Sequence, residues 1–160
     1  MAISKLIHQT VADKNRLSKI YTDNINFLRE LNPDWTHTLY DDNDILRFIQ
    51  DNYDEEILQR YRKISSDYGA AKADYFRYLL LLKVGGVYLD IKSTCYKKLN
   101  DVIYDRDVFI LSHWRNKPGE RYQSYGIHGR CGPARQPRAD CSSQQSQLLK
   151  NRGRSLSPAE

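Results

Sequence analysis

Residues 70–93 read AAKADYFRYLLLLKVGGVYLDIKS, and the fold turns on how this stretch divides. Ala70 to Val84 is rich in Ala, Leu and aromatic residues, which predicts one long helix. Gly85-Gly86 stops it, because glycine takes backbone angles that a side chain forbids. Val87 to Ser93 (VYLDIKS) then predicts a strand, with Val87, Leu89 and Ile91 on one face and Tyr88, Asp90 and Lys92 on the other. The apolar face must be buried, so the polar face gathers at the C-terminal end of the strand.

The same alternation of elements extends on both sides. Ser4 to Thr10 (SKLIHQT) predicts a short first strand with Leu6 and Ile7 in a buried sheet. Leu17, Ile20, Tyr21, Asn24, Phe27, Leu28 and Leu31 fall near one stripe, which predicts a helix over Leu17 to Leu31 ended by Asn32-Pro33. Trp35 to Tyr40 (WTHTLY) alternates as a strand, and Asp41 to Asp44 supplies acceptors for a turn and a helix cap before Ile45-Leu46 and Phe48-Ile49. A further helix is expected over Asp54 to Lys63 and a further strand over Asp107 to His113 (DVFILSH). Strands alternating with helices argue for an α/β sandwich around a mainly parallel sheet. Such sheets bind ligands beyond the carboxyl ends of their strands.

The chain has 160 residues, one domain's length on the usual scale, and its 12 Tyr, 4 Phe and 2 Trp exclude wholesale disorder. The longest apolar stretch, Tyr78 to Leu82, is fenced by Arg77 and Lys83, far short of the roughly 20 residues a membrane span needs. Met1 to Thr10 lacks the apolar core of a secretory signal, and 3 Cys cannot close a disulfide framework, so a reducing, cytoplasmic location is expected. The formal net charge of +5 is uneven: Gly129 to Glu160 holds five Arg and one Lys against Asp140 and Glu160, +4 of the total. This tail has no Ile, Val, Phe, Tyr or Trp and reads as a basic, disordered end after a body spanning residues 1–128. A linker, a nucleic-acid-binding arm and the out-of-frame end of a disrupted gene all fit that change of composition. No aromatic residue stands among the tail's cations to stack a base, which argues against nucleic acid. Cys131 and Cys141 lack the paired short spacing of a zinc site.

Asp74 and Arg77 lie three apart on the predicted helix and so meet on one face. The Gly-Gly turn folds that helix back against the strand carrying Tyr88, Asp90 and Lys92, so a carboxylate, a guanidinium, a phenol, a second carboxylate and an ammonium can converge. A plainer account of the same residues is an exposed helix pair worth a few tenths of a kcal/mol and a solubilised strand end. The order of parts weighs against it.

The run Ala73-Asp74-Tyr75-Phe76-Arg77-Tyr78 through Gly85-Gly86-Val87-Tyr88-Leu89-Asp90 resembles the signature of glycosyltransferase family 32, whose pattern is roughly A-D-x-x-R-Y-x-x-L-x-x-x-G-G-x-Y-x-D-x-D. Ile7-His8-Gln9-Thr10 resembles the family's opening I-H-Q-T strand, and Asn32-Pro33 with Trp35 through Asp42 resembles its next segment. The resemblance covers about residues 3–114. It implies a GT-A-like, Rossmann-like fold and transfer of a sugar, with net retention, from a UDP- or GDP-sugar donor to a glycan or lipid-linked glycan acceptor in surface-polysaccharide assembly. Asp74 and Arg77 would bind the donor sugar, Arg77 with the planar fork that suits hydroxyls or phosphate. Tyr88 would lie near the nucleotide, and His8, Gln9 and Thr10 would line the base pocket. A structural, hydrogen-bonded histidine is an equal reading of His8. Trp35, His37 and Trp114 read as packing residues. Asp90, first acid of the motif, would act at the reaction centre and hold a divalent cation, Mn²⁺ or Mg²⁺.

The sequence departs from the pattern twice. Lys92 replaces the second acid, giving D-I-K; a protonated lysine cannot ligate a cation, but can meet a diphosphate as a fixed charge. The resemblance also ends where the acceptor-binding half of such an enzyme would follow. A partial domain leaves a nucleotide-sugar-binding remnant without activity as the alternative, and the open sheet it implies favours association, a homodimer among the outcomes. Membrane contact, if made, would be peripheral.

Overall fold

The computed structural model describes residues 3–108, 110–111 and 146–148. Five strands form one sheet in the order β2-β1-β3-β5-β4, with β1 Leu6–Thr10, β2 Thr36–Tyr40, β3 Val87–Leu89, β4 Ile110–Leu111 and β5 Ser146–Leu148. β1 is parallel to both β2 and β3, pairing Ile7 with His37 and with Val87. β5 runs antiparallel to β3 and to β4. Five helices connect the strands: α1 Lys19–Leu31, α2 Asp42–Asn52, α3 Glu55–Arg62, α4 Gly69–Val84 and α5 Leu99–Val102. The expected α/β architecture is therefore present. Of the expected tail, only Ser146–Leu148 lies within the described residues; Trp114, Cys131 and Cys141 lie outside them.

Helices cover both sheet faces, so the core has two parts. On the α1 side Ile7, Val87 and Leu89 pack with Ile3, Leu28, Trp35, Cys95 and Leu99. On the other side Tyr88 packs with Ile45, Ile49, Leu58, Tyr61, Phe76, Leu80 and Leu81 from α2 to α4. The alternation read in VYL is thus real, but both of its faces are buried, as befits a central strand covered by helices on both sides.

The starts and stops follow local chemistry. Asp41 caps α2 by accepting from the amides of Asn43 and Asp44, while the Asp44 carboxylate accepts from the Asp41 amide, a reciprocal box. Asp54 caps α3 through the Ile57 amide. At the end of α4 the Gly85 amide donates to Leu81 O, and Gly85 (φ 72°) and Gly86 (φ 92°) turn the chain into β3. Only glycine fits at 86, since a Cβ there would stand 2.7 Å from Leu6 O and 2.9 Å from His8 Nε2.

Two expectations need correction. Within the predicted α1 stripe Leu28 is buried and Leu17, Tyr21, Asn24 and Leu31 are half-buried, but Ile25, outside the stripe, is buried too, while Ile20 at 78% and Phe27 at 42% are exposed. β3 also stops at Leu89 instead of Ser93. The Ser93 amide donates to Asp90 O at 2.7 Å, closing a turn that removes Ile91 and Lys92 from the strand.

Candidate functional site

The site begins with a misfit in α4. Phe76, Arg77, Leu80 and Leu81 form its buried face, so an arginine occupies a stripe that otherwise holds apolar side chains. Arg77 is 3% exposed, yet its Nε and Nη1 have no hydrogen-bond partner. A buried guanidinium is tolerated only where charges or hydrogen bonds compensate its lost hydration. Nη2 is paired with Asp74 one turn earlier on the exposed side of the helix, and Nη1 stands 3.9 Å from Asp90 Oδ1. The Tyr88 ring lies under the guanidinium, 5.0 Å from its central carbon to the ring centroid. The helix, the Gly-Gly turn and the strand therefore bring Asp74, Arg77 and Asp90 together, with Tyr88 as the bed.

Burial raises the Asp90 pKa above the ordinary carboxylate value, and the neighbouring Arg77 charge opposes that rise. Burial likewise raises the Tyr88 phenol, whose oxygen shares a 2.6 Å hydrogen bond with Thr10 Oγ1. Tyr88 and Thr10 are thus neutral hydroxyl groups behind the charged cluster. Tyr88, expected near a nucleotide, is buried with its ring against Arg77.

His8 and Gln9, expected to line a base pocket with a structural role as the equal reading of His8, are both buried and hydrogen-bonded within the scaffold. His8 is buried, with Nε2 3.1 Å from Gly85 O and Nδ1 3.4 Å from the Tyr40 hydroxyl, and burial lowers its pKa to about 4. It clamps the Gly-Gly turn onto β1. Gln9 is fully buried between His37 and the backbone of Asp90. Lys92 does not join the cluster: it is exposed on the turn beyond β3, without a hydrogen bond or ion pair among the described residues. Trp35 is a packing residue as expected, its Nε1 donating to Asn100 Oδ1 at 2.9 Å. His37 is more than packing, since it touches Gln9. Asn24, the one polar member of the α1 stripe, donates its side-chain amide to Ile91 O and Ser93 O beyond β3.

Among the described residues no three of His, Cys, Asp and Glu gather as a metal site. Asp74 is engaged by Arg77, and Asp90 faces the same guanidinium. This donor set, one guanidinium between two carboxylates, fits a ligand that carries both anionic oxygens and hydroxyls. It fits a divalent cation only where the remaining ligands are oxygens of a bound diphosphate, with Asp90 the protein's contribution. A cavity of about 270 Å³ opens between β2 and α2, lined by Tyr40, Asp44, Arg47 and Phe48 among others, and includes none of the three clustered residues. No described helix is long and apolar enough to cross a membrane.

Known proteins match this arrangement. The family model described as "Glycosyltransferase sugar-binding region containing DXD motif" matches residues 18–110. Inositol phosphoceramide mannosyltransferase 1 of Schizosaccharomyces pombe is 32% identical over 114 residues, 68% of this chain and 34% of the relative. The initiation-specific alpha-1,6-mannosyltransferase of the same yeast is 35% identical over 107 residues, 63% of this chain and 26% of the relative. A mannosyl phosphorylinositol ceramide synthase of Saccharomyces cerevisiae is 31% identical over 101 residues, again 63% of this chain and 26% of the relative. The chain thus spans a quarter to a third of these relatives. Among solved structures the PaToxG glycosyltransferase superposes with a TM-score of 0.53 at 18% identity, covering 70% of this chain and 50% of that one, which supports the GT-A type of fold. The match takes in the helix, the Gly-Gly turn and the D-I-K segment, and with it the chain belongs to the glycosyltransferase family defined by a sugar-binding region containing the DXD motif.

Proposed function

We propose that this chain binds the sugar-diphosphate part of a UDP- or GDP-sugar at the Asp74–Arg77–Asp90 cluster and serves transfer of the sugar to a glycan or lipid-linked acceptor, with retention at the anomeric carbon. The observation that carries this reading is the buried guanidinium of Arg77, with two nitrogens that make no hydrogen bond and a carboxylate on each side. These N–H groups suit phosphate or sugar oxygens, and the carboxylates suit sugar hydroxyls. The relatives are mannosyltransferases and a mannosyl phosphorylinositol ceramide synthase, which supports mannose as the sugar and an inositol phosphoceramide or a glycan as the acceptor.

Arg77, held by Asp74 and the Tyr88 ring, orients the donor and balances charge on the departing diphosphate. Asp90 accepts from a donor hydroxyl and would hold a divalent cation shared with the diphosphate. That cation, when bound, neutralises the leaving group. Lys92, on the open turn, contributes a screened charge to a bound diphosphate and no cation ligand. Incubation with UDP- and GDP-sugars plus Mn²⁺ tests the reading: nucleoside diphosphate is released, and Asp90→Ala abolishes release. A thermal shift with these donors but no release would instead support the remnant that binds without turnover, and neither response would remove the donor site.

A further inference from the structure

Where β3 ends, side chains take over from the sheet. The pairing of β1 with β3 joins Ile7 to Val87 and His8 to Tyr88 and goes no further, so the carbonyls of the following turn receive no ladder hydrogen bond from β1. Gln9, the next residue of β1, donates from its amide nitrogen to Asp90 O at 3.1 Å. Asn24 of α1 donates from Nδ2 to Ile91 O at 3.2 Å and to Ser93 O at 2.8 Å. Three carbonyls of the turn are thus held by two amides from separate elements. The Gln9 amide is itself oriented. Its nitrogen must face the Asp90 carbonyl, so its oxygen faces His37, whose Nε2 at 2.9 Å must be the donor. His37 therefore carries its proton on Nε2, and the chain of donation runs from His37 through Gln9 to the backbone of Asp90.

We infer that Asn24, Gln9 and His37 are positioning residues that fix the Asp90–Ser93 turn and so aim the Asp90 carboxylate at Arg77. None of them needs to touch the donor. Among the described residues no strand pairs with the turn, and a displacement near 1 Å at a reacting group can cost about 100-fold in rate. The functional half of this inference rests on the donor site proposed above; the structural half does not.

Asn24→Asp in the full chain is the discriminating variant, since it keeps the side-chain volume and removes both N–H donors. Two readouts are taken well below the melting temperature: amide hydrogen exchange over residues 90–95, and kcat and KM for donor cleavage. The expected result is exchange at least tenfold faster in the turn with α2 and α3 unchanged, and kcat lowered 10- to 100-fold with KM changed less than threefold. Loss of packing alone would lower melting without that split. Should Asn24→Asp fail to fold, His37→Phe removes the orienting donor while keeping a ring, and the same two changes are expected at smaller size. Unchanged exchange in the turn overturns the inference whether or not the wild type is active. Wild-type turnover with a variant kcat within twofold overturns it and leaves the donor site standing. A wild type that neither binds nor cleaves a donor sinks the functional reading, while the exchange result still decides what holds the turn.

Discussion

Arg77 and Lys92 are both cations that the sequence sets beside one ligand, and the molecule treats them in opposite ways. Arg77 lies in the unit formed by α4, Gly85-Gly86 and β3, packed on both sheet faces and 3% exposed. Lys92 lies on the turn just beyond that unit, exposed and held only through its backbone neighbours. The lesson is that a motif is not one rigid object. Packing fixes the half that ends at Leu89, polar side chains fix the half that begins at Asp90, and the two halves should respond differently to mutation.

The sharpest way to break the packed half is Gly86→Ala. The new Cβ meets backbone at 2.7 Å in a left-handed conformation, so a loss on the order of 3 kcal/mol and a melting temperature lower by about 10 °C are expected from thermal unfolding. A change under 2 °C would show that the turn is not clamped. Arg77→Lys keeps the charge and loses the fork, and donor cleavage should fall about 100-fold in a steady-state assay. Acid should loosen both halves, the packed one through His8 under Gly85 and the polar one through His37 behind Gln9. His8 and His37 are both pushed down to about 4, chiefly by burial, so the unfolded chain binds more protons than the native one between pH 6.5 and 4. Their stabilising contribution is complete above pH 6.5 and is lost as pH falls toward 4, at up to about 1.4 kcal/mol per pH unit for His8 and less for the more exposed His37. Melting at pH 7, 5.5 and 4.5 reads this slope, and His8→Gln should flatten it. Lys92→Ala is the mild counterpart: stability within about 0.5 kcal/mol of wild type, and donor affinity weakened less than tenfold, with the difference fading in high salt. Equal losses for Arg77→Lys and Lys92→Ala would erase the contrast.

Much of the fold was legible because its punctuation is local. The Asp41 and Asp54 caps and the Gly85-Gly86 stop are written in neighbouring residues, and the helices they bound appear within a few residues of expectation. The convergence of Asp74, Arg77 and Asp90 was legible for a related reason: helix spacing and one tight turn set it. The buried face of α1 was legible only in part: Leu28 was in the stripe, but Ile20 and Phe27 satisfy the helical period and stay exposed, while Ile25 beside them is buried. The end of β3 was not legible, because alternation runs on through Asp90, Ile91 and Lys92 after the hydrogen-bonding partner strand has stopped. His8 looked equally like a ligand and a structural residue; only tertiary packing under Gly85 and Tyr40 places it in the scaffold.

The central claim is that the buried guanidinium of Arg77 receives a sugar-linked diphosphate. Calorimetric titration of the wild type and of Arg77→Met with UDP and GDP, and with uridine and guanosine as controls, tests it most directly. The account predicts that the wild type binds one of the diphosphates more tightly than its nucleoside and that Arg77→Met loses at least tenfold of that preference. Equal affinity for nucleoside and diphosphate in both proteins would contradict it.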